Sequence, residues 1–224
     1  MTSPKDPRPV ESVQLFLEKT RRAYNLAAQK YHDLFCNEIA EKEYDRNLLD
    51  LFAARFPKGS FLCDAGCGPS AHIGRYFFDK GLRVIGVDIA DRCIELARAH
   101  NPGMQFERAD IAHLAFPADS FEGIVSYYSI VHTPKTSIDE IFREFHRILK
   151  SRGYLLVAVK AGTDEGYRNE LLGIETEIYF AFFTEEEIAQ YFKQGGFQLE
   201  SIERRNPYDF EIDNERIFAI GKKV

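Results

Sequence analysis

Phe61-Leu62-Cys63-Asp64-Ala65-Gly66-Cys67-Gly68-Pro69-Ser70 runs from an apolar stretch into an acid and then a Gly-x-Gly turn. About twenty residues further on, Val84-Ile85-Gly86-Val87-Asp88 ends a second apolar run in another carboxylate. Glycines in a turn between a strand and a helix let the backbone approach a nucleotide-like ligand closely. A carboxylate at the tip of the next strand accepts hydrogen bonds from both hydroxyls of a ribose. A lone Gly-x-Gly is common by chance, so the signal lies in the pair.

Two ligand classes fit that pair. Gly66-Cys67-Gly68-Pro69-Ser70-Ala71 also matches the Gly-x-Gly-x-x-Ala form of a dinucleotide fingerprint, which makes a nicotinamide cofactor the competing reading. Asp64 argues against it. A carboxylate at the mouth of a pyrophosphate site repels the ligand, and in a partly dry cleft that repulsion is worth kcal/mol. A ligand carrying an ammonium and a sulfonium favours the same carboxylate. Arg108-Ala109-Asp110-Ile111 sets a further acid where an adenine amino group would donate. The residues after the last expected strand are too few for a second domain that would hold a hydride acceptor.

The elements that must position these residues are legible as periodicity. Helical spacing runs from Val13 to Phe35 and again from Tyr44 to Phe56, where Pro57-Lys58-Gly59 stops it. Strands and helices then alternate. Strands are expected at Phe61–Cys63, Arg83–Val87, Gln105–Arg108, Phe121–Ser126 and Tyr154–Val159. Helices are expected at Ala71–Lys80, from Asp91 as cap to about His100, and after two capping boxes, Ser137 with Glu140 and Thr184 with Glu187. Phe197–Arg204 and Arg216–Gly221 follow one another without a helix, so they pair antiparallel. Such a pattern builds a mostly parallel sheet covered on both faces, with ligands at the carboxyl ends of its strands.

Composition narrows the partners. The chain has 224 residues and a formal net charge of −6, which gives no general electrostatic grip on a phosphate backbone, so no nucleic acid is expected. No apolar run approaches a membrane span, and the first residues, with three prolines among nine, do not read as a signal peptide. A cytoplasmic protein is the expectation. Cys36, Cys63, Cys67 and Cys93 are irregularly spaced and read as reduced thiols, not as a metal set.

On these residues the chain resembles the class I S-adenosylmethionine-dependent methyltransferases that modify small molecules. The resemblance covers about residues 58 to 224 and is looser in the N-terminal helices. It implies a Rossmann-like α/β fold: a seven-stranded, mostly parallel sheet with the last strand antiparallel, helices on both faces, and an N-terminal helical extension over residues 1–57. It implies S-adenosylmethionine as cofactor. Asp64, Gly66 and Gly68 fall on the motif that cradles its methionine part, Asp88 with Ile89 on the ribose-binding position, and Asp110 with Ile111 on the adenine contact. Phe121 to Tyr128 matches the strand lining the pocket under the methionine, where Tyr127 is the candidate contact. His132 aligns with a histidine often found just after that strand and is the candidate general base. Ser70 stands where many members have a third glycine.

The implied reaction is methyl transfer by in-line displacement to a small-molecule acceptor, with no metal and no covalent protein nucleophile. Two other outcomes stay open, a non-catalytic S-adenosylmethionine-binding protein and a nicotinamide-dependent oxidoreductase. Residues 161–183 form a connection long enough to be a substrate lid. Its Tyr167, Leu171, Leu172, Tyr179, Phe180, Phe182 and Phe183 suggest an apolar or aromatic acceptor face. Plainer readings stand beside these. One of Tyr127 and Tyr128 belongs to the core if strand alternation holds. Tyr24 and Tyr31, seven apart on one helical face, either pack on the core or help close the site.

Overall fold

The computed structural model describes residues 13–224. The proline-containing start of the chain, with the expectation about a signal peptide, lies outside the described residues. The helices are α1 (Val13–Phe35), α2 (Glu43–Ala53), α3 (His72–Asp79), α4 (Asp91–His100), α5 (Ile138–Ile148) and α6 (Glu185–Gln194). The strands are β1 (Phe61–Ala65), β2 (Arg83–Asp88), β3 (Gln105–Arg108), β4 (Phe121–Tyr127), β5 (Leu149–Lys160), β6 (Glu165–Leu171), β7 (Ile174–Ala181), β8 (Phe197–Arg205) and β9 (Arg216–Lys223).

Seven strands make one sheet in the order β3-β2-β1-β4-β5-β9-β8. The neighbours from β3 to β5 pair in parallel, while β9 runs antiparallel to both β5 and β8. This is the Rossmann-like sheet that the sequence implies. Strand alternation divides its apolar residues between two faces. Cys63, Ile85, Ile124, Leu155 and Ile217 pack under α5 and α6, with Phe142, Phe145 and Phe192. Leu62, Val84, Val125, Leu156 and Phe218 pack under α2 and α3, with Leu49, Phe52 and Phe77. Strands covered on both sides read as near-continuous apolar runs, and these do.

Local structure departs from expectation at two helix starts and meets it at a third. Asp91 does not cap α4. Ala90 holds the cap position, and Asp91 begins the helix with its carboxylate turned to Arg21, 3.0 Å away, and Arg108. Ser137 makes no capping bond either. A tight helical turn over Lys135–Ser137 runs directly into α5, which leaves Ser137 at φ −109°, ψ −2° and not in the extended conformation a cap needs. The Thr184–Glu187 box is complete, with Glu187 N–H donating to Thr184 Oγ1 at 3.2 Å and Thr184 N–H to Glu187 Oε2 at 2.9 Å.

Within residues 161–183, β6 and β7 form an antiparallel hairpin separate from the main sheet. α1 lies across it: Ala23 and Ala27 pack on Leu171 and Ile178, and Phe16 meets the Tyr179 ring edge-on at 5.6 Å. The opposite side of α1 packs on α4 through Ala28, Cys93 and Leu96. The hairpin also packs on the short helical turn Ile130–His132 that follows β4.

Candidate cofactor site and the cavity beside it

β1 ends where Gly66 N–H and Cys67 N–H both donate to Val87 O, at 2.8 and 2.9 Å, which folds the turn back over β2. Gly66 has φ +83°, and a Cβ there would lie 2.2 Å from Ser129 Cβ. The position therefore excludes a side chain on two counts, conformation and space. Gly68, at φ +63°, sends its N–H to Asp88 Oδ2 at 2.9 Å. Ala90 N–H reaches Asp88 Oδ1 at 2.9 Å, so both oxygens of that carboxylate are oriented by backbone. Asp64 Oδ2 accepts from Gly74 N–H in the first turn of α3, also at 2.9 Å.

Asp64 is 2% exposed and Asp88 8% exposed. Burial pushes the Asp64 carboxyl up to about 7, against the nearby His72 and the Gly74 hydrogen bond. It pushes Asp88 up to about 6, against the backbone hydrogen bonds it accepts. Among the described residues neither has a lysine or arginine within ion-pair distance. Two desolvated carboxylates at the mouth of a glycine turn are an electrostatic deficit that a cationic ligand relieves.

These residues line a cleft of about 830 Å³, counted to its open mouth. Asp64, Gly66, Gly68, Asp88, Ile89, Asp110, Ile111, Tyr127 and His132 all lie on its wall. Asp110 Oδ1 is tied to Ala112 N–H at 3.0 Å, which fixes the carboxylate beside β3. Tyr127 lines the cleft with its ring while its hydroxyl donates to buried Asp45 at 2.5 Å. Tyr128 lines the cleft too, against the expectation that only one of the pair can. It lies beyond the end of β4 at φ +57°, in the left-handed region, so the alternation of a strand no longer governs it.

Several wall residues carry no motif that points to them. They are Thr20 of α1, His72 at the start of α3 and Ser129 just after β4, while Tyr24 and Tyr31, paired by their spacing in the sequence, also line the cleft from α1. Thr20 Oγ1, His72 Nδ1 and the Tyr128 hydroxyl are buried with no partner among the described residues, and all three residues line the cleft. Unsatisfied buried polar atoms are costly, so a cleft that gathers three of them is shaped for a polar ligand. Those atoms and the two carboxylates fit S-adenosylmethionine: acceptors for an ammonium and a ribose, with no anion-binding cation at the turn.

His132 is 7% exposed in the short helical turn after β4. Its Nδ1 lies 2.9 Å from Tyr179 O, a carbonyl, so that nitrogen carries the proton and donates. Nε2 is then an acceptor, and the Tyr24 hydroxyl donates to it at 2.6 Å. Burial, with Lys160 adding to it against the Tyr179 hydrogen bond, holds the imidazole down at about 4, hence neutral. One imidazole thus joins α1 to the hairpin.

A second cavity opens beyond Tyr24, Tyr31, Tyr128 and His132, which line both spaces. Its walls include Leu171, Leu172 and Phe180 from the hairpin and Phe210 and Ile212 from the loop before β9. Phe180 is the hairpin aromatic that reaches this cavity. The neighbouring Tyr179 packs on Phe16 and Tyr167, and Phe182 lines neither space.

Residues 63–157 match the model of a methyltransferase domain. That stretch carries a methyltransferase domain. Methyltransferase GfsG of Streptomyces halstedii is 32% identical over 129 residues, which cover 54% of this chain and 42% of that protein. An S-adenosyl-L-methionine-dependent Diels-Alderase, iccD of Talaromyces variabilis, is 36% identical over 113 residues, covering 46% of this chain and 38% of that protein. The chain spans about half the length, or less, of the curated relatives it matches. In fold it is similar to the Burkholderia thailandensis 1,6-didemethyltoxoflavin-N1-methyltransferase solved with 1,6-didemethyltoxoflavin and S-adenosylhomocysteine. That match has a TM-score of 0.74 at 17% identity, covering 99% of this chain and 94% of the other. A Methanosarcina mazei methyltransferase structure matches with a TM-score of 0.69 at 19% identity, over 78% of this chain and 97% of that one. The family's cofactor is S-adenosylmethionine, and the cleft built on the glycine turn fits it. No helix among the described residues is long and apolar enough to cross a membrane.

Proposed function

We propose that this chain methylates a small-molecule acceptor that enters through the second cavity. The observation that carries the reading is the pair of buried, cation-free carboxylates, Asp64 and Asp88, held by backbone N–H groups around the Gly66–Gly68 turn. Asp64, with the unpartnered nitrogen of His72 nearby, receives the ammonium end of the cofactor. Asp88 takes the ribose hydroxyls, Asp110 and Ile111 the adenine, and Ile89 and Tyr127 complete the wall. S-adenosylmethionine, when bound, supplies an electrophilic methyl group on a sulfonium, displaced in line by the acceptor. The protein's work is to orient, to exclude water and to take up a proton.

His132 accepts that proton through Tyr24. The lone pair of Nε2 is covered by the Tyr24 hydroxyl, so an acceptor X–H gives its proton to the phenol oxygen as the phenol passes its own to Nε2. The resulting imidazolium still donates from Nδ1 to Tyr179 O. α1 and the β6–β7 hairpin act as the lid, and the apolar wall they share suits an acceptor with an apolar or aromatic body. The net charge of −6 disfavours a nucleic-acid substrate.

Calorimetry with S-adenosylhomocysteine and with nicotinamide dinucleotides tests the cofactor. The first is expected to bind and the second not. Asp88→Ala is expected to cost about 1.5–3 kcal/mol of affinity, the range for hydrogen bonds to a charged group. Unchanged affinity in that variant overturns the assignment of Asp88. The Diels-Alderase among the relatives makes a second outcome specific: cofactor bound, yet no S-adenosylhomocysteine formed with any acceptor. That result replaces methyl transfer with a use of the cofactor as a structural ligand.

A further inference from the structure

Lys160 ends β5 and lines the second cavity. Its direct partner across the β5–β9 ladder is Arg216, another cation. Like charges facing each other across a sheet destabilise it. The neighbouring cations are satisfied. Lys42 is paired with Glu38 at 2.5 Å and Glu211 at 2.8 Å. Arg216 donates to the carbonyls of Ile212 and Asn214 and lies 3.5 Å from Glu211. Lys160 has no carboxylate of the described residues within ion-pair distance, and its ammonium stands 6.0 Å from the centre of the Phe180 ring. A half-buried ammonium opposite an arginine is an unmet demand for an anion.

We infer that Lys160 is the anion-recognising group of the acceptor cavity, which takes a carboxylic acid with an apolar body. The inference rests on the reading of this cavity as the acceptor's. The acid end meets Lys160, and the hydrocarbon or aromatic part lies on Leu171, Leu172, Phe180 and Ile212. The reactive end reaches Tyr24 and His132 at the junction with the cofactor cleft. Phe210 and Ile212, 56% and 60% exposed, give the cavity an apolar mouth. A single negative charge suits it better than a phosphate dianion, since five carboxylates and three cations line the wall. None of the five makes an ion pair with Lys160, and three of them are engaged elsewhere. Glu38 holds Lys42 and His72, Glu211 holds Lys42 and Arg205, and Glu170 caps Gly173 N–H.

The arrangement also couples recognition to the base. The Lys160 charge is one of the influences that lower the His132 pKa, and burial, Arg216 and Lys42 lower that of Lys160 itself against the opposing pull of Glu211 and Glu38. An acid bound at Lys160 cancels its field at the imidazole, so His132 becomes a stronger base when the correct class of acceptor is in place.

The test uses the whole chain saturated with S-adenosylhomocysteine and probes of matched shape: hydroxybenzoic acids and medium-chain hydroxy acids, each against its carboxamide. Calorimetry is expected to give at least 10-fold tighter binding of acids than amides. Lys160→Met is expected to abolish that preference and Lys160→Arg to keep part of it, with S-adenosylhomocysteine affinity unchanged within twofold in both. The His132 ring resonances are expected to shift their titration upward when an acid binds to the wild type and not to Lys160→Met. Equal binding of acids and amides, tighter binding of the corresponding amines, no binding of either class, or a preference that survives Lys160→Met overturns the inference. Failure of S-adenosylhomocysteine to bind is a separate result and strikes the proposed function itself.

Discussion

Asp64 and Asp88 titrate in the range where most assays are run. An aspartate in the unfolded chain ionises near 3.9, whereas these two hold their protons to about 7 and about 6. Between roughly pH 4 and 7 the folded, ligand-free protein therefore binds more protons than the unfolded chain. The stability these groups contribute falls as pH rises through that window and stays lost above it. A cationic ligand needs the ionised forms, so its affinity moves the other way. S-adenosylhomocysteine is expected to bind at least ~10-fold more weakly at pH 5.5 than at pH 8, with proton release near pH 6.5. Calorimetry in two buffers of different ionisation enthalpy reads both. His132, held at about 4, adds no titration in that interval, so a flat profile would remove the two aspartates from the site.

Gly66 offers a second measurement on single residues. Gly66→Ala meets Ser129 at 2.2 Å, whereas a Cβ on Gly59, at φ +82°, meets nothing within 4 Å. Gly59→Ala therefore isolates the conformational cost, about 1–2 kcal/mol. Gly66→Ala adds the overpacking cost, about 1–3 kcal/mol more, and is expected to impair cofactor binding. Urea unfolding of both variants separates the contributions. Equal losses would mean that the approach of Ser129 is not what reserves the position for glycine. All the residues singled out by motif line the cleft, because a strand end, a turn and the next strand end are local in sequence. Thr20 was not legible, since α1 reaches the cleft only through packing between elements far apart in the chain, and His72 and Ser129 stand beside the motif residues without belonging to a motif. Lys160 reads as an ordinary strand-end lysine until the register sets it opposite Arg216.

At the scale of elements, periodicity located all six helices and the seven strands of the main sheet, and erred where chain direction changes. The two candidate capping boxes have the same spacing, yet one makes its bonds and the other does not. The difference lies in what precedes them: extended backbone before Thr184, a helical turn before Ser137. Thr184→Ala is expected to cost about 1 kcal/mol. Ser137→Ala is expected to fall within the ~0.5 kcal/mol of an ordinary surface change. Matching losses in chemical denaturation would contradict the cap geometry. The β6–β7 hairpin escaped the sequence reading because its strands mix apolar and charged residues, and its stability comes from α1 lying on it.

For the molecule as a whole, α1 and the hairpin cover a site whose contents must enter and leave. The Tyr24–His132–Tyr179 chain of hydrogen bonds ties the two halves of that cover together. Amide exchange is expected to be faster in α1 and in β6–β7 than in β1, β4 and β5, and to slow in the cover when S-adenosylhomocysteine is added. Exchange unaltered by the ligand would argue for a preformed opening instead.

The position of β9 has a bearing on how the chain is made. Strands β1 to β5 can assemble as soon as they leave the ribosome, but β5 then presents an unpaired edge that only β9 will cover. About 55 residues separate the two, or some 3–11 s of synthesis at ordinary elongation rates. Through that interval the nascent sheet carries the bare apolar edge that invites pairing with another chain. β8 cannot join in the meantime, because among the described residues it pairs in the sheet with β9 alone. The β5 edge thus waits for β9, and slower translation between β5 and β9 is expected to lengthen that hazard where slower translation before β5 is not.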